Sequence, residues 1–434
     1  MDAQLVRDKH KQYLFPCVAN YYHEPIVLTE GKGLTVKDMD GREYLDFFGG
    51  ILTVSLGHAD DEINAKVKAQ IDRLNHVSTL YPTLPMVELA EKLAGITPGR
   101  LRKCFFTSSG TEANETAIVM AQMATGNSEL IALRHGYSGR SHLALSLAGH
   151  ANWRPVATQV GTVRHALSPY CYRCPCRLTY PSCNVQCARD IEELIQTTTT
   201  GRLAGMLAET ILGVGGFIVP PREYFQIAVE IVRKHGGVFI CDEVQAGFGR
   251  TGGKMFGIEH YGVVPDVMTM AKGIANGFPI AATVATDEVA NAWDDTVTIA
   301  TFGGNPVSCT AACATIDAIV DRKIPEHAET VGARLRAGLE KLQRKYPANI
   351  GDVRGMGLMQ AAELVADETA GDRTPNTKLT LELFEATKKR GLLIGKGGRW
   401  GNTIRIAPPM TVSADQIDQA LTALDESFAE IGAR

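Results

Sequence analysis

A chain of 434 residues that is 45% hydrophobic can bury a large core and is long enough for two or three domains. A net charge of −4, with 21% of residues charged, offers little for nucleic acid or an anionic membrane to hold, and no stretch approaches the roughly 20 apolar residues that span a bilayer. The N-terminal MDAQLVRDKHKQYLFPC lacks the apolar run of a signal peptide and carries acids that a transit peptide avoids, so a soluble cytoplasmic protein is expected.

Residues 1–20 read as a helix. GLTVKDMDGREYLDFFGG alternates with period two around Asp40-Gly41, a hairpin signal, and leads into the glycine-rich FFGGI. Helical spacing follows over 60–76, where Ile63, Val67 and Ile71 lie one turn apart, and over 86–94. A strand over 103–107 meets a Ser-Ser-Gly turn and a helix over 112–124, with Thr111 in N-cap position. Free amides and a positive dipole end make such a start either a phosphate site or an ordinary capping turn. Strands and helices then alternate: strands at 130–133 and 203–208, and helices after Gly139, from Asp190 and over 224–234. This pattern implies a mostly parallel sheet covered on both faces. Beyond 280–284 come helices over 306–319 and 332–345, then strands at 353–365, a helix over 376–389 and the apolar 392–394 and TIRIAPP. The C-terminal part therefore reads as a smaller α+β domain.

Between the last two groups lies GGVFICDEVQAGFGRTGG, which closes with PDVMTMAKG. The apolar run 238–241 ends on Asp242 and Glu243, and the run 267–271 ends on Lys272. Ligands of open α/β sheets bind beyond the carboxyl ends of the strands. An acid and a lysine there suit an aldehyde cofactor with a pyridine ring, the amine forming the Schiff base and the carboxylate facing the ring nitrogen. The same two residues also read as an ion pair that ties two strands together.

Five of the ten cysteines (Cys17, Cys104, Cys241, Cys309, Cys313) read as core thiols. The other five, Cys171, Cys174, Cys176, Cys183 and Cys187, crowd into YCYRCPCRLTYPSCNVQC. Reduced thiols in a surface insertion, half-sites for zinc, and a disulfide are the open readings there.

Taken together, SSGTEANE, HGYSG, DEVQAGFGRTG, MAKGIANGFP, TFGGNP and IRIAPP resemble, in order and spacing, the class III, fold-type I pyridoxal-phosphate aminotransferases. Within that class YLDFFGGILTVSLGH, the cysteine insertion and TFGGNP are most similar to the mitochondrial type of alanine–glyoxylate aminotransferase and its bacterial relatives. The resemblance implies an α/β fold with a seven-stranded, mostly parallel sheet in a large domain over 61–318, the cysteine insertion 171–187 included. Residues 1–60 and 319–434 would then form a small domain. Lys272 is similar to the Schiff-base lysine and Asp242 to the partner of the pyridinium nitrogen. Gly110 and Thr111 match the phosphate cradle. Thr301 resembles a residue reaching the same phosphate from a neighbouring subunit, which implies a homodimer, or a tetramer, with shared sites. Tyr137 and Val244 match the residues on the two ring faces, and Gln245 the partner of the phenolic oxygen. Arg405 resembles the substrate-carboxylate arginine, a planar bidentate partner, and Glu209 the acid that pairs with it between half-reactions. None of the implied site residues is a metal ligand.

The implied activity is a ping-pong transamination from alanine, a β-amino acid or another ω-amino compound to pyruvate or glyoxylate. A lyase or decarboxylating transaminase on the same cofactor is the alternative, and a non-catalytic relative with zinc on its cysteines a further one. The chain departs from the family pattern at Thr210 (proline is usual), Ala246 (threonine), Ser138 (histidine) and just before Thr301, where a histidine or serine is often found. Thr210 is expected to reshape the gate loop, and Ala246 to remove a hydroxyl from the cofactor side.

Overall fold

Apolar runs alternating with amphipathic helices produce one large sheet with helices on both faces. A computed structural model, which describes residues 2–156, 160 and 162–434, gives that sheet seven strands. From one edge they run Lys103–Thr107, Ala281–Ala285, Val267–Met270, Val238–Asp242, Gly205–Glu209, Glu129–Leu133 and Thr162–Ala166. All neighbours are parallel except Ala281–Ala285, which is antiparallel to both of its partners. Every residue of Gly205–Glu209 and Val267–Met270 is buried, as a sheet covered twice requires.

Register decides what meets at the carboxyl end. Glu209 pairs with Asp242, and Asp242 with Thr269, so the three lie side by side and Lys272 follows three residues later. Side chains alternate in direction along a strand. Glu243 therefore turns away from Asp242 and accepts hydrogen bonds from the amides of Gly257 (3.0 Å) and Ile258 (2.7 Å), which pins the loop that follows.

The two ends of the chain meet. The meander Leu28–Lys32, Thr35–Asp38, Glu43–Asp46 pairs in parallel with Leu392–Leu393. A second C-terminal sheet is built on the hairpin Ile350–Met356 and Met359–Asp367, with Thr403–Ile406 and Gly395–Gly397 beside it.

Several boundaries differ from expectation. The first helix is Ala3–Tyr13 and stops short of residue 20, because Pro16 disfavours helical geometry at Phe15. The helix expected over 112–124 is Gly110–Thr125, and its N-cap is Ser109, not Thr111. The Ser109 hydroxyl accepts from the Glu112 amide (3.3 Å), and the Glu112 carboxylate reaches back to the Ser108 amide (2.8 Å). The helix expected from Asp190 is Gln186–Thr198, which draws Cys187 into its first turn. The helix expected over 332–345 begins at Ile324, with Pro325 in its first turn. FFGGI makes a left-handed turn, with φ of 56° at Gly49 and 59° at Gly50, carried on at 63° by Ile51.

Candidate active site

The carboxyl ends of the parallel strands and the start of the Gly110–Thr125 helix enclose a cavity of about 290 Å3. Gly110, Thr111, Tyr137, Glu209, Asp242, Val244, Gln245 and Lys272 all line it, although they come from segments as far apart as residues 110 and 272. Two of the residues read from the sequence do not. Arg405 bonds to the carbonyl of Gly213, whose amide donates to the cavity residue Glu209, and Thr301 sits on an exposed segment outside the cavity.

Asp242 is buried and held at both oxygens: Oδ2 accepts from Asn114 Nδ2 (2.9 Å) and Oδ1 from the Val244 amide (3.0 Å). Burial pushes its carboxyl up, against the pull of Asn114, Val244 and the Lys272 charge. Burial pushes the Lys272 amine down, and Asp242 and Glu209 hold it up in part. Lys272 also has φ of 45°, a left-handed conformation that costs a non-glycine residue about 1–3 kcal/mol and that recurs at functional sites. Asn114 was not legible as a site residue. Its amide donates to Asp242 and to the Ser138 carbonyl (2.9 Å), and its Oδ1 accepts from Thr269 Oγ1 (2.7 Å), so a side chain itself fixed by two other bonds orients the acid. The available signal was a polar residue on the buried face of an alanine-rich helix, flanked by Ala113 and Ala117.

The phosphate-cradle candidates sit where a helix leaves its first amides without intrahelical partners. Thr111 packs so closely under the Tyr137 turn that a Cβ on Gly139 would stand 2.4 Å from its hydroxyl, and Gly139 has φ of 134°. On the far wall Gln245 is buried and its Oε1 has no hydrogen-bond partner, so its carboxamide is free for a polar group of a ligand. A buried carboxylate beside a buried amine, a helix start and an unspent carboxamide around one cavity fit a pyridine-aldehyde phosphate. When bound, that group supplies the electron sink.

Glu209 accepts from the amides of Tyr137 (2.9 Å) and Gly213 (2.8 Å), and burial followed by the Asp242 charge pushes its carboxyl up. Arg405 is buried as well. It donates to the carbonyls of Lys396 (2.9 Å) and Gly213 (3.2 Å), and its guanidinium lies 4.8 Å from the Phe48 ring centroid and 5.5 Å from that of Phe217. Among the described residues no ion pair joins Glu209 to Arg405; Gly213 lies between them, bonded to both.

Of the departures from the family pattern, Ser138 lines the cavity. Ala246 does not. A Cβ on Gly257 would stand 3.1 Å from the Ala246 methyl and 2.5 Å from Thr210 Oγ1, so these two residues pack against the Gly257 loop. The hydroxyl missing at Ala246 is therefore not lost from the cavity side. Thr210 Oγ1 is itself buried without a partner. All ten cysteines are free thiols, and among the described residues no group of three or more His, Cys, Asp or Glu is placed to hold a metal.

The fold and this cavity define a fold-type I, pyridoxal-phosphate-dependent aminotransferase. The chain belongs to the class-III aminotransferase family, whose profile it matches over residues 17–428. It is 41% identical over 429 residues to alanine–glyoxylate aminotransferase 2 homolog 2, mitochondrial, of Arabidopsis thaliana, covering 99% of this chain and 88% of the relative. To the mitochondrial alanine–glyoxylate aminotransferase 2 of Homo sapiens it is 36% identical over 444 residues, 98% of this chain and 86% of that one. Among solved structures, an (S)-enantioselective omega-transaminase from Thermomicrobium roseum superposes with a TM-score of 0.92 at 32% identity, covering 100% of this chain and 99% of the other. An amine transaminase from an uncultivated Pseudomonas species, solved in its PLP-bound form, gives 0.89 at 30%, covering 97% and 99%. Among the described residues no helix is long and apolar enough to cross a membrane.

Proposed function

We propose that this aminotransferase takes its amino group from alanine, a β-amino acid or another ω-amino compound and passes it to pyruvate or glyoxylate in two half-reactions. The observation that carries the reading is the buried Lys272–Asp242 pair, with Asn114 fixing the acid, at the open end of the sheet. In this reading Asp242 keeps the ring nitrogen protonated, and Lys272 holds the cofactor aldehyde and then moves the proton at the substrate's Cα. Gly110 and Thr111 hold the phosphate, Tyr137 and Val244 flank the ring, and Gln245 meets the phenolic oxygen. Arg405, joined through Gly213 to the cavity residue Glu209, takes the substrate carboxylate. Glu209 would answer Arg405 when that carboxylate is absent by exchanging its bond to the Gly213 amide for an ion pair.

The reading includes a homodimer in the cytoplasm, with residues 1–60 and 319–434 as the small domain and 61–318 as the large one. An exposed apolar patch supports the dimer: Val297, Ile299 and Phe302 lie beside the 78–84 loop, to which Ala300 is tied through Ser78 and Thr79. Thr301 stands in the middle of that patch, where it would reach a partner's phosphate.

A donor screen against pyruvate and glyoxylate tests the substrates. Turnover with alanine and glyoxylate, or with a β-amino acid and pyruvate, is expected. Release of CO2 or of another leaving group without amino transfer would overturn the reading.

A further inference from the structure

A second cavity, of about 540 Å3, lies beyond the ends of the Glu129–Leu133 and Thr162–Ala166 strands, and it shares no lining residue with the cavity around Lys272. Its walls carry Arg134, Arg154, Arg173 and Arg399, with three histidines, Tyr170 and Trp400, and no acid among the described lining residues.

The charge is written into the chain. From Leu130 to Arg189 the sequence contains seven arginines and four histidines but no aspartate or glutamate, within a protein whose net charge is −4. Elsewhere arginines such as Arg322 and Arg334 sit on carboxylates. Among the described residues Arg134, Arg154 and Arg399 form no ion pair; only Arg173 is neutralised, by Glu363 behind the wall. That carboxylate is already occupied, since Arg354 (2.8 Å) and the Tyr170 hydroxyl also bond to it. Three guanidiniums converging on one space without a counter-charge repel each other.

The floor is polar and incomplete. His150, 4% exposed, shares a 2.9 Å hydrogen bond between its Nε2 and His135 Nδ1, while its own Nδ1 is buried with no partner. Burial first, and then the nearby guanidiniums, push both imidazoles down to about 4, with His150 adding to the push on His135, so at neutral pH the cavity's charge belongs to the arginines. Trp400 forms a flat side wall, with the guanidiniums of Arg173 and Arg399 at 5.0 and 5.1 Å from its ring.

We propose that this cavity is a second ligand site, separate from the catalytic one, that binds a small organic polyanion through its oxyanion groups. Three unpaired guanidiniums match two or three negative charges, and the planar fork of arginine suits phosphate and carboxylate alike. The volume exceeds what an inorganic ion needs and falls in the range of small-molecule pockets, roughly 300–1,000 Å3. The site also backs onto the catalytic turn. The Gly149 amide donates to the Gly136 carbonyl (2.9 Å), and the Trp153 ring meets Tyr137 edge-on at 5.5 Å. Occupancy therefore bears on the residue read as flanking the cofactor ring.

Calorimetric titration of the cofactor-loaded enzyme with inorganic phosphate, glycerol 3-phosphate and citrate tests this. Saturable binding at one site per chain is expected for at least one of the two organic probes. Glycerol 3-phosphate alone would mark a phosphate-ester site and citrate alone a polycarboxylate site; either supports the shared chemistry. Arg134→Ser with Arg154→Ser should weaken binding by about tenfold or more, given the worth of charge-assisted hydrogen bonds, with cofactor absorbance and Tm unchanged. Should that pair fail to fold, Arg154→Glu alone, at an exposed position, should abolish binding. Three outcomes would overturn the proposal: no saturable heat with either organic probe, wild-type affinity in these variants, or loss of binding in Arg405→Gln instead.

Discussion

Asp242 sits at the end of a buried strand, in surroundings that favour its neutral form, yet two donors, the Asn114 amide and the Val244 N–H, keep it oriented and charged, and Thr269 fixes Asn114 in turn. Asn114 is the residue on which this depends. Asn114→Ala leaves Asp242 Oδ2 and the Thr269 hydroxyl without their partners, and stability measured by denaturant unfolding should fall by about 1–3 kcal/mol. Unchanged stability would mean that water takes over both bonds. Lys272 presents the opposite case. Its amine is buried and pushed down, and its backbone is held at φ of 45°, so its stability contribution is unfavourable, as the chemical role proposed for it would require. Lys272→Ala should still bind the cofactor, shown by spectroscopy and equilibrium dialysis, while turnover falls by ~10³-fold or more. Near-normal turnover would remove it from the mechanism. The two ends of this pair were legible in the sequence, because a charged residue closing an apolar run is conspicuous. Asn114 was not, because a polar residue in the first turns of a helix reads as part of a cap.

At the scale of elements, the turn from Arg134 to Gly139 joins the two cavities, and it brings a pH dependence with it. His135 and His150 have folded-state values near 4, below the ordinary 6.5, chiefly because they are buried. Groups depressed in this way favour the fold while neutral. Their contribution is complete above pH 6.5 and is lost as the pH falls toward 4. For the pair this is on the order of 2 kcal/mol, allowing for the solvent they still reach. Tm followed from pH 7.5 to 4.5 should therefore fall more steeply for the wild type than for His150→Asn, which removes one titrating ring. Parallel curves would show that the histidines do not titrate in this range. The helix that opens at Gly110 makes a related point. Its start moved from Thr111 to Ser109 because a serine followed three residues later by Glu112 ties back to the chain, leaving Thr111 inside the first turn and facing the cavity.

For the whole molecule, the exposed apolar surface asks for a partner. Phe302 is 64% exposed and Val297 97%, and the His76 ring lies 5.3 Å from that of Phe302, so the patch continues into the 76–84 loop. Patches of this kind mark association sites. On the proposed dimer, Phe302→Asp should shift the sedimenting species from dimer toward monomer and lower activity with it, since Thr301 would lose the partner site proposed for it. A wild-type monomer at micromolar concentration would sink the dimer reading.

The alternating pattern of strands and helices was enough to set the fold class, because the period of apolar residues reflects which faces must leave water. The charged residues at strand ends were enough to name Asp242 and Lys272 as candidates, because a charge at the close of a buried run needs a reason to be there, and the family resemblance added Glu209. Only the tertiary structure could decide register, and register puts Glu209, Asp242 and Thr269 side by side while turning Glu243 away into its loop. It also set Gly213 between Glu209 and Arg405, moved Ala246 out of the cavity lining, and gathered four arginines from separate segments around one unpaired histidine nitrogen. The reason is physical: a local pattern reports which residues are buried, whereas a cavity is made of contacts between residues that the chain itself keeps far apart.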